Sequence, residues 1–324
     1  MDELQIVAGS RLHFGLICAA PERKWHYGGI GLMIEDPAWK IRVSTAEADS
    51  VQASSRVAER VAAVIKTVRV SVSVPPVKVV VQNEVPPHSG LGSGTQLALA
   101  TGVALELFSG VQRAADCGDL ATRLGRNRRS GIGAYGFDKG GFIVDSGRST
   151  GASALSSIGF PENWRLVLIS PSMEQGLSGS SEESFFGEQP YLSDELVQQL
   201  ERLVEREILF AIMEGDFDRF AAGIAEYGKI AGDYYAAAQG GTFSNPLIRE
   251  VVAVLEENGI HGAAQSSWGP SVCVPARSVG SAAEIRDFVA AMPVGAKLTV
   301  TVTKARNYGA TIRSVAPEDQ RSFG

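Results

Sequence analysis

Pro86-Pro87-His88-Ser89-Gly90-Leu91-Gly92-Ser93-Gly94-Thr95-Gln96 leads from the β-branched stretch Lys78–Gln82 straight into Thr95–Phe108, TQLALATGVALELF. The first flank reads as a strand and the second has the apolar spacing of a buried helix. A loop in that position leaves backbone N–H groups unpaired at the positive end of a helix dipole. Its glycines let an oxyanion approach the backbone closely, and the hydroxyls of Ser93 and Thr95 add donors. The segment His88 to Gln96 is therefore a ready site for phosphate or pyrophosphate, with His88 able to orient a leaving group. It is not a Walker A loop, since no Lys-Ser/Thr follows the last glycine, and it does not meet G-x-G-x-x-G.

Outward from the loop, Leu4–Val7, Ile41–Ser44 and Val68–Val74 also carry β-branched residues at period two and predict strands. Asp116–Leu124 predicts a short helix and Gly141–Asp145 a strand. A second unit opens with the strand Trp164–Ile169, followed by helices over Ser193–Met213 and Phe217–Tyr235. Asn245-Pro246 starts a further helix, Asn as cap and Pro at the first helical position, which Gly259 terminates. Ser271–Pro275 reads as a strand, Ala282–Met292 as a helix and Lys297–Thr303 as a last strand. The order predicts an α+β protein of two lobes, residues 1–155 and 156–324, the second built on an antiparallel sheet.

Composition bounds the function. The 324 residues carry 30 Lys+Arg against 36 Asp+Glu, a net charge of −6, with 44% hydrophobic and 20% charged residues. That is a folded globular chain without the broad basic face that a nucleic-acid binder needs. No run of about 18 apolar residues predicts a membrane span, and MDELQIVAGS lacks the features of a signal peptide, so a cytoplasmic protein is expected. Cys18, Cys117 and Cys273 are far apart, with no metal-ligand spacing, and read as small buried hydrophobes.

The run Pro-Pro-x-x-Gly-Leu-Gly-Ser-Gly resembles the second motif of the galactokinase, homoserine kinase, mevalonate kinase and phosphomevalonate kinase (GHMP) superfamily. Ala8–Gly15 (AGSRLHFG) resembles its first-strand motif, and Gly262–Pro270 (GAAQSSWGP) sits where its third, glycine-rich motif lies. The resemblance covers nearly the whole chain. It implies a ribosomal-S5-like N-terminal lobe, a ferredoxin-like C-terminal lobe and a site in the cleft between them.

The kinase reading meets three departures. Where the kinases place a catalytic aspartate after Ser-Gly-x, this chain has Ser130-Gly131-Ile132-Gly133. No carboxylate is left there to take a proton from an acceptor hydroxyl. Trp268 and Pro270 stand where the third motif has flexible small residues, and no acidic partner follows Gly15. With these departures, GSRLHFGLI (Gly9–Ile17), PPHSGLGSGTQLALA (Pro86–Ala100), GRNRRSGIGAYGFDKGGFIVDSGR (Gly125–Arg148) and QGLSGSSEESFF (Gln175–Phe186) resemble the β-ribofuranosylaminobenzene 5′-phosphate synthase branch. That likeness implies a transferase joining phosphoribosyl pyrophosphate to 4-aminobenzoate, releasing pyrophosphate and CO₂, in the biosynthesis of methanopterin-type one-carbon carriers.

Such chemistry needs anion stabilisation, and Mg²⁺ is expected because pyrophosphate is normally handled as its magnesium complex. Ser93 resembles the family's metal-contacting serine. Arg126, Arg128 and Arg129 are candidates to grip phosphates, or are simply a solvated loop. Arg11 and His13, two apart on a strand, share a face, Arg11 for carboxylate or phosphate and His13 as hydrogen-bond donor or acid. His26 is either substrate-facing or a surface histidine, and Asp138-Lys139 either substrate-binding or an exposed ion pair. Trp268, between Ser267 and Gly269, offers a flat wall for an aromatic substrate. The loop Gly176–Ser184, with Glu182 and Glu183, reads as a lid or a source of metal ligands. The helix over Glu195–Met213 could serve a homodimer. The alternatives are an ATP-dependent small-molecule kinase and a non-catalytic metabolite sensor on the same scaffold.

Overall fold

The computed structural model describes residues 3–111, 116–126, 129–147, 155–172 and 190–315. Two long strands, β1 (Glu3–Cys18) and β2 (His26–Thr45), pair antiparallel and form the spine of the molecule. Their inward residues Leu4, Ile6, Leu12, Ile17, Ile30, Leu32 and Ile41 are buried in the main core. After β3 (Ser50–Gln52), helix α1 (Ser55–Val68) buries Val57, Val61, Val64, Ile65 and Val68, an apolar stripe at helical spacing. β4 (Val77–Asn83), the glycine loop and α2 (Ser93–Phe108) follow. Then come α3 (Gly118–Arg123), α4 (Ile132–Lys139), β5 (Phe142–Asp145) and β6 (Leu155–Ile158).

The second lobe runs β7 (Arg165–Pro171), α5 (Asp194–Arg202), a π-helical stretch Leu203–Ile208, α6 (Leu209–Glu214), α7 (Phe217–Gln239) and α8 (Pro246–Glu257). It continues with β8 (Ala264–Gln265), β9 (Val272–Ala276), α9 (Val279–Ala291), β10 (Leu298–Thr303) and β11 (Thr311–Ser314). Strands β7 to β10 form an antiparallel sheet in the order β10-β7-β9-β8. The expected cap holds: the Asn245 side chain accepts from the Ile248 N–H at 3.1 Å, with Pro246 in the first turn. Among the described residues, no helix is long and apolar enough to cross a membrane.

Two expectations are corrected. Val68–Val74 is not a strand: Val68 closes α1 and Val70 is 86% exposed. Arg69, hydrogen-bonded to the carbonyls of Val74 and Pro75 and paired with Asp49, ties the segment into a turn. Nor does the chain divide simply at residue 155. β6 joins the first sheet, and β11 returns from the far end of the chain to pair with β1. Arg306, 3% exposed, fastens that return by an ion pair to Glu35 at 2.7 Å and by bonds to Gly309 and Thr311.

Candidate active site

Backbone N–H of Arg11 in β1 donates to the Leu91 carbonyl at 3.0 Å, laying the glycine loop along the first strand. Ser266 then ties both to the third motif. Its hydroxyl accepts from the His13 N–H at 3.1 Å and donates to the Gly90 carbonyl at 2.9 Å, while the Ser267 N–H donates to the His13 carbonyl at 2.6 Å. Three segments remote in sequence thus meet on one hydroxyl.

Gly92 caps α2 in the left-handed region, φ +66°, with no side chain accepting from the first-turn amides and no acidic residue in that turn. A Cβ there would stand 2.8 Å from Arg11 Nε, so glycine is needed for both conformation and space. The Trp39 indole N–H donates to the Ser93 carbonyl at 2.9 Å and fixes the start of the helix. Around this terminus lies a cavity of about 270 Å³, whose charged lining is Arg11, Arg60 and Arg126. His88, Ser89, Gly90, Leu91, Gly92, Ser93, Gly94, Thr95, Ser267 and Trp268 complete it, so the three motifs share one site. No carboxylate lines it among the described residues. Helix dipole and guanidinium groups act in the same direction here, toward bound anion. Burial and the nearby Arg60 and Arg56 hold His88 below its ordinary range, favouring the neutral ring.

Gly133, in α4, stands beside the first turn of α2. A Cβ on it would lie 3.3 Å from Thr95 Cγ2 and 3.9 Å from Arg11 Cδ. Ser130-Gly131, which leads into α4, is pinned by the fully buried Asp145, which accepts from the Gly131 N–H at 2.7 Å. The position of the kinase aspartate therefore lies beside Thr95 and Arg11, and here it carries no carboxylate.

Several expected site residues lie elsewhere. His13 is buried and does not line the cavity; its Nδ1 accepts from the Gly15 N–H at 3.2 Å. Burial, and then the Arg11 charge, lower its pKa well below the ordinary value against a backbone contact that raises it, which favours the neutral ring. Gln96 is fully buried and donates to the Gly133 carbonyl at 2.8 Å, bridging α2 to α4 instead of facing ligand. Asp138 accepts from the Cys117 N–H at 2.6 Å and fixes the start of α3, while the neighbouring Lys139 is exposed. Gly269 makes the turn behind Trp268, donating to the Ser266 carbonyl at 2.9 Å.

The basic run divides. Arg126 lines the cavity, Arg128 lies outside the described residues, and Arg129 sits instead where its charge acts on Cys18 and Tyr27. His26 belongs to that second neighbourhood: its Nδ1 is bonded to the Ala19 carbonyl at 2.7 Å and its ring lies 4.2 Å from Tyr27. Tyr235 connects the two areas, with its ring 4.9 Å from Trp268 and its hydroxyl 3.6 Å from Cys18 Sγ. The loop Gly176–Ser184 lies outside the described residues. Arg60 and Ser266 were missed in the sequence. Ser266 stood inside the quoted third motif, whereas Arg60 carries no local signal.

Among the described residues the cavity presents no ready-made set of metal ligands. Ser93 supplies one hydroxyl, and among the described residues no group of three or more His, Cys, Asp or Glu side chains could hold an ion.

Comparison with known proteins agrees with this architecture. The GHMP kinases N terminal domain family matches residues 56–139. β-Ribofuranosylphenol 5′-phosphate synthase of Methanothermobacter thermautotrophicus is 31% identical, over 95% of this chain and 98% of its own. The protein of that name from Archaeoglobus fulgidus is 28% identical over 95% and 99%. Among solved structures, homoserine kinase from Cytophaga hutchinsonii superposes with a TM-score of 0.64 at 14% identity, covering 97% of this chain and 98% of that one. Mevalonate diphosphate decarboxylase from Enterococcus faecalis gives 0.66 at 18%, covering 97% and 99%. Those two share the fold. By its close sequence match along nearly its whole length, the chain belongs to the β-ribofuranosylphenol 5′-phosphate synthase family, transferases built on the GHMP kinase fold.

Proposed function

We propose that the chain joins phosphoribosyl pyrophosphate to a 4-substituted benzoate, releasing pyrophosphate and CO₂ and leaving the ribose 5-phosphate carbon-linked to the ring. The observation that carries this reading is Gly133 beside Arg11: among the described residues the cavity is lined by cations and no carboxylate, with glycine where the kinases that use a catalytic aspartate place it. In the proposed reaction the C1–O bond to pyrophosphate breaks and its electron pair leaves with the pyrophosphate. The ring carbon bearing the carboxylate supplies the pair for the new C–C bond. The bond to the carboxyl carbon then breaks, and its pair restores the aromatic ring. The group expelled from the ring is CO₂ and not a proton, so neither step calls for a general base.

The loop amides, Arg11 and Arg126 would stabilise the departing pyrophosphate as charge develops on it. Trp268 would wall the aromatic ring, and Arg129, in the aromatic neighbourhood that Tyr235 joins to Trp268, would meet the carboxylate. Mg²⁺ would arrive with the pyrophosphate and not on protein ligands. The relatives are named for a ribofuranosylphenol product, which favours 4-hydroxybenzoate over 4-aminobenzoate as acceptor.

The test is an anaerobic incubation with Mg²⁺, phosphoribosyl pyrophosphate and either carboxyl-labelled acid, with ATP replacing the donor in a parallel tube. Equal release of labelled CO₂ and pyrophosphate, absent with ATP, is the expected result. Turnover of ATP alone would make the chain a small-molecule kinase, the reading that the shared fold supports.

A further inference from the structure

α1 brings an unforeseen cation to the cavity. Its buried stripe fastens one face of the helix to the core, and Arg60, half-buried on another part of the surface, joins the cavity lining next to His88. Arg56 stands one turn earlier on the same helix and faces the same neighbourhood, its charge acting on both Arg60 and His88. Burial and Arg56 both act against the Arg60 charge, and no carboxylate among the described residues acts for it. Glu84, the acid after β4, is engaged elsewhere: it accepts from the Ser54 N–H and hydroxyl, both at 2.8 Å, at the head of α1. Other arginines of this chain are provided for, as in the pairs Arg69–Asp49, Arg219–Glu207 and Arg306–Glu35.

We propose that Arg60, supported by Arg56 and flanked by His88, is a second anion locus facing the α2 terminus, so that the cavity recognises a diphosphate and not a single phosphate. One phosphoryl group would sit at the loop amides between Arg11 and Arg126, and the next would reach Arg60. This rests on the reading of the cavity as the pyrophosphate site of the proposed transferase. It adds the residue that distinguishes diphosphate from monophosphate.

The test is calorimetric titration of the full chain with inorganic pyrophosphate and with inorganic phosphate, with and without Mg²⁺. Wild type should bind pyrophosphate at least about tenfold more tightly than phosphate. Arg60→Gln should lose at least about tenfold on pyrophosphate while its phosphate affinity stays within about twofold, and Arg60→Lys should recover part of the loss. The ligand-free melting temperature of Arg60→Gln should equal or exceed that of wild type, because a like-charge pair is removed; a structural role for Arg60 would lower it. Pyrophosphate binding that is absent in wild type, unchanged in Arg60→Gln, or weakened in proportion with phosphate would overturn the proposal. The transferase reading fails separately. If no CO₂ is released from either acid but Arg60→Gln still loses pyrophosphate selectively, the diphosphate locus stands and that reading falls. If product forms with the same KM for phosphoribosyl pyrophosphate in both proteins, the reading stands and the locus falls.

Discussion

The hydroxyl of Ser266 donates to the carbonyl of Gly90 at 2.9 Å, across 176 residues of sequence. It also accepts from His13 N–H, so one fully buried oxygen sets the distance between the first strand, the glycine loop and the second lobe. Ser266→Ala leaves a buried donor and a buried acceptor unanswered. The expected cost is about 1–3 kcal/mol of stability, with a weakened affinity for pyrophosphate because the loop loses its tie. Urea unfolding together with pyrophosphate titration measures both; unchanged affinity would mean that the loop holds its shape without the tie.

His13 makes stability depend on pH in a defined direction. Burial and Arg11 hold its folded-state pKa below the ordinary 6.5, so as pH falls the unfolded chain takes up the proton first. Its contribution is complete above about pH 6.5. Below that it declines by up to about 1.4 kcal/mol per pH unit until the folded ring protonates. His13→Asn keeps an acceptor for the Gly15 N–H and should flatten this part of the stability profile while retaining turnover. Collapse of turnover with stability intact would restore His13 as an acid.

On the proposed reading, Gly133 separates the chemistry of this site from that of a kinase that uses a catalytic aspartate. Gly133→Asp would bring a carboxylate toward Arg11 and should lower pyrophosphate affinity by about tenfold or more, by pairing with one cation and repelling the ligand. Gly133→Ala adds only a Cβ at 3.3 Å from Thr95 Cγ2 and should change affinity little. Equal losses in the two variants would point to crowding and not charge.

Trp268 lines the cavity while packing on Tyr235, with ring centroids 4.9 Å apart. Trp268→Leu should raise the KM for the aromatic acid about two- to tenfold, the worth of a ring contact, and leave pyrophosphate binding near wild type. Steady-state kinetics with the acid varied, set beside the pyrophosphate titration, distinguishes this from a general loosening of the third motif.

Features with a local cause could be read from the residues. The loop before α2, the Asn245-Pro246 start of α8 and the strands Lys78–Gln82 and Lys297–Thr303 each follow from the propensities of adjacent residues. α1 is not read from the sequence, although Val57, Val61, Val64, Ile65 and Val68 stand at helical spacing, and the β-branched alternation from Val68 to Val74 reads as a strand instead. Packing decided that contest, because Val68 completes the buried face of the helix while Val70 is left in water.

By itself the sequence determined that a glycine-rich loop precedes a buried helix, that position 133 carries glycine and not a carboxylate, and that the fold is α+β. Only the tertiary structure decided which side chains reach the loop. It brought Arg60 in from α1, parted Arg126 from Arg129, turned His13 and Gln96 inward, and returned β11 to the first strand. The physical reason is range. Turn chemistry, capping and periodicity act between neighbours and leave a mark in a short window. Contacts such as Ser266 with Gly90 depend on how whole sheets and helices pack, and neither partner signals the other along the chain.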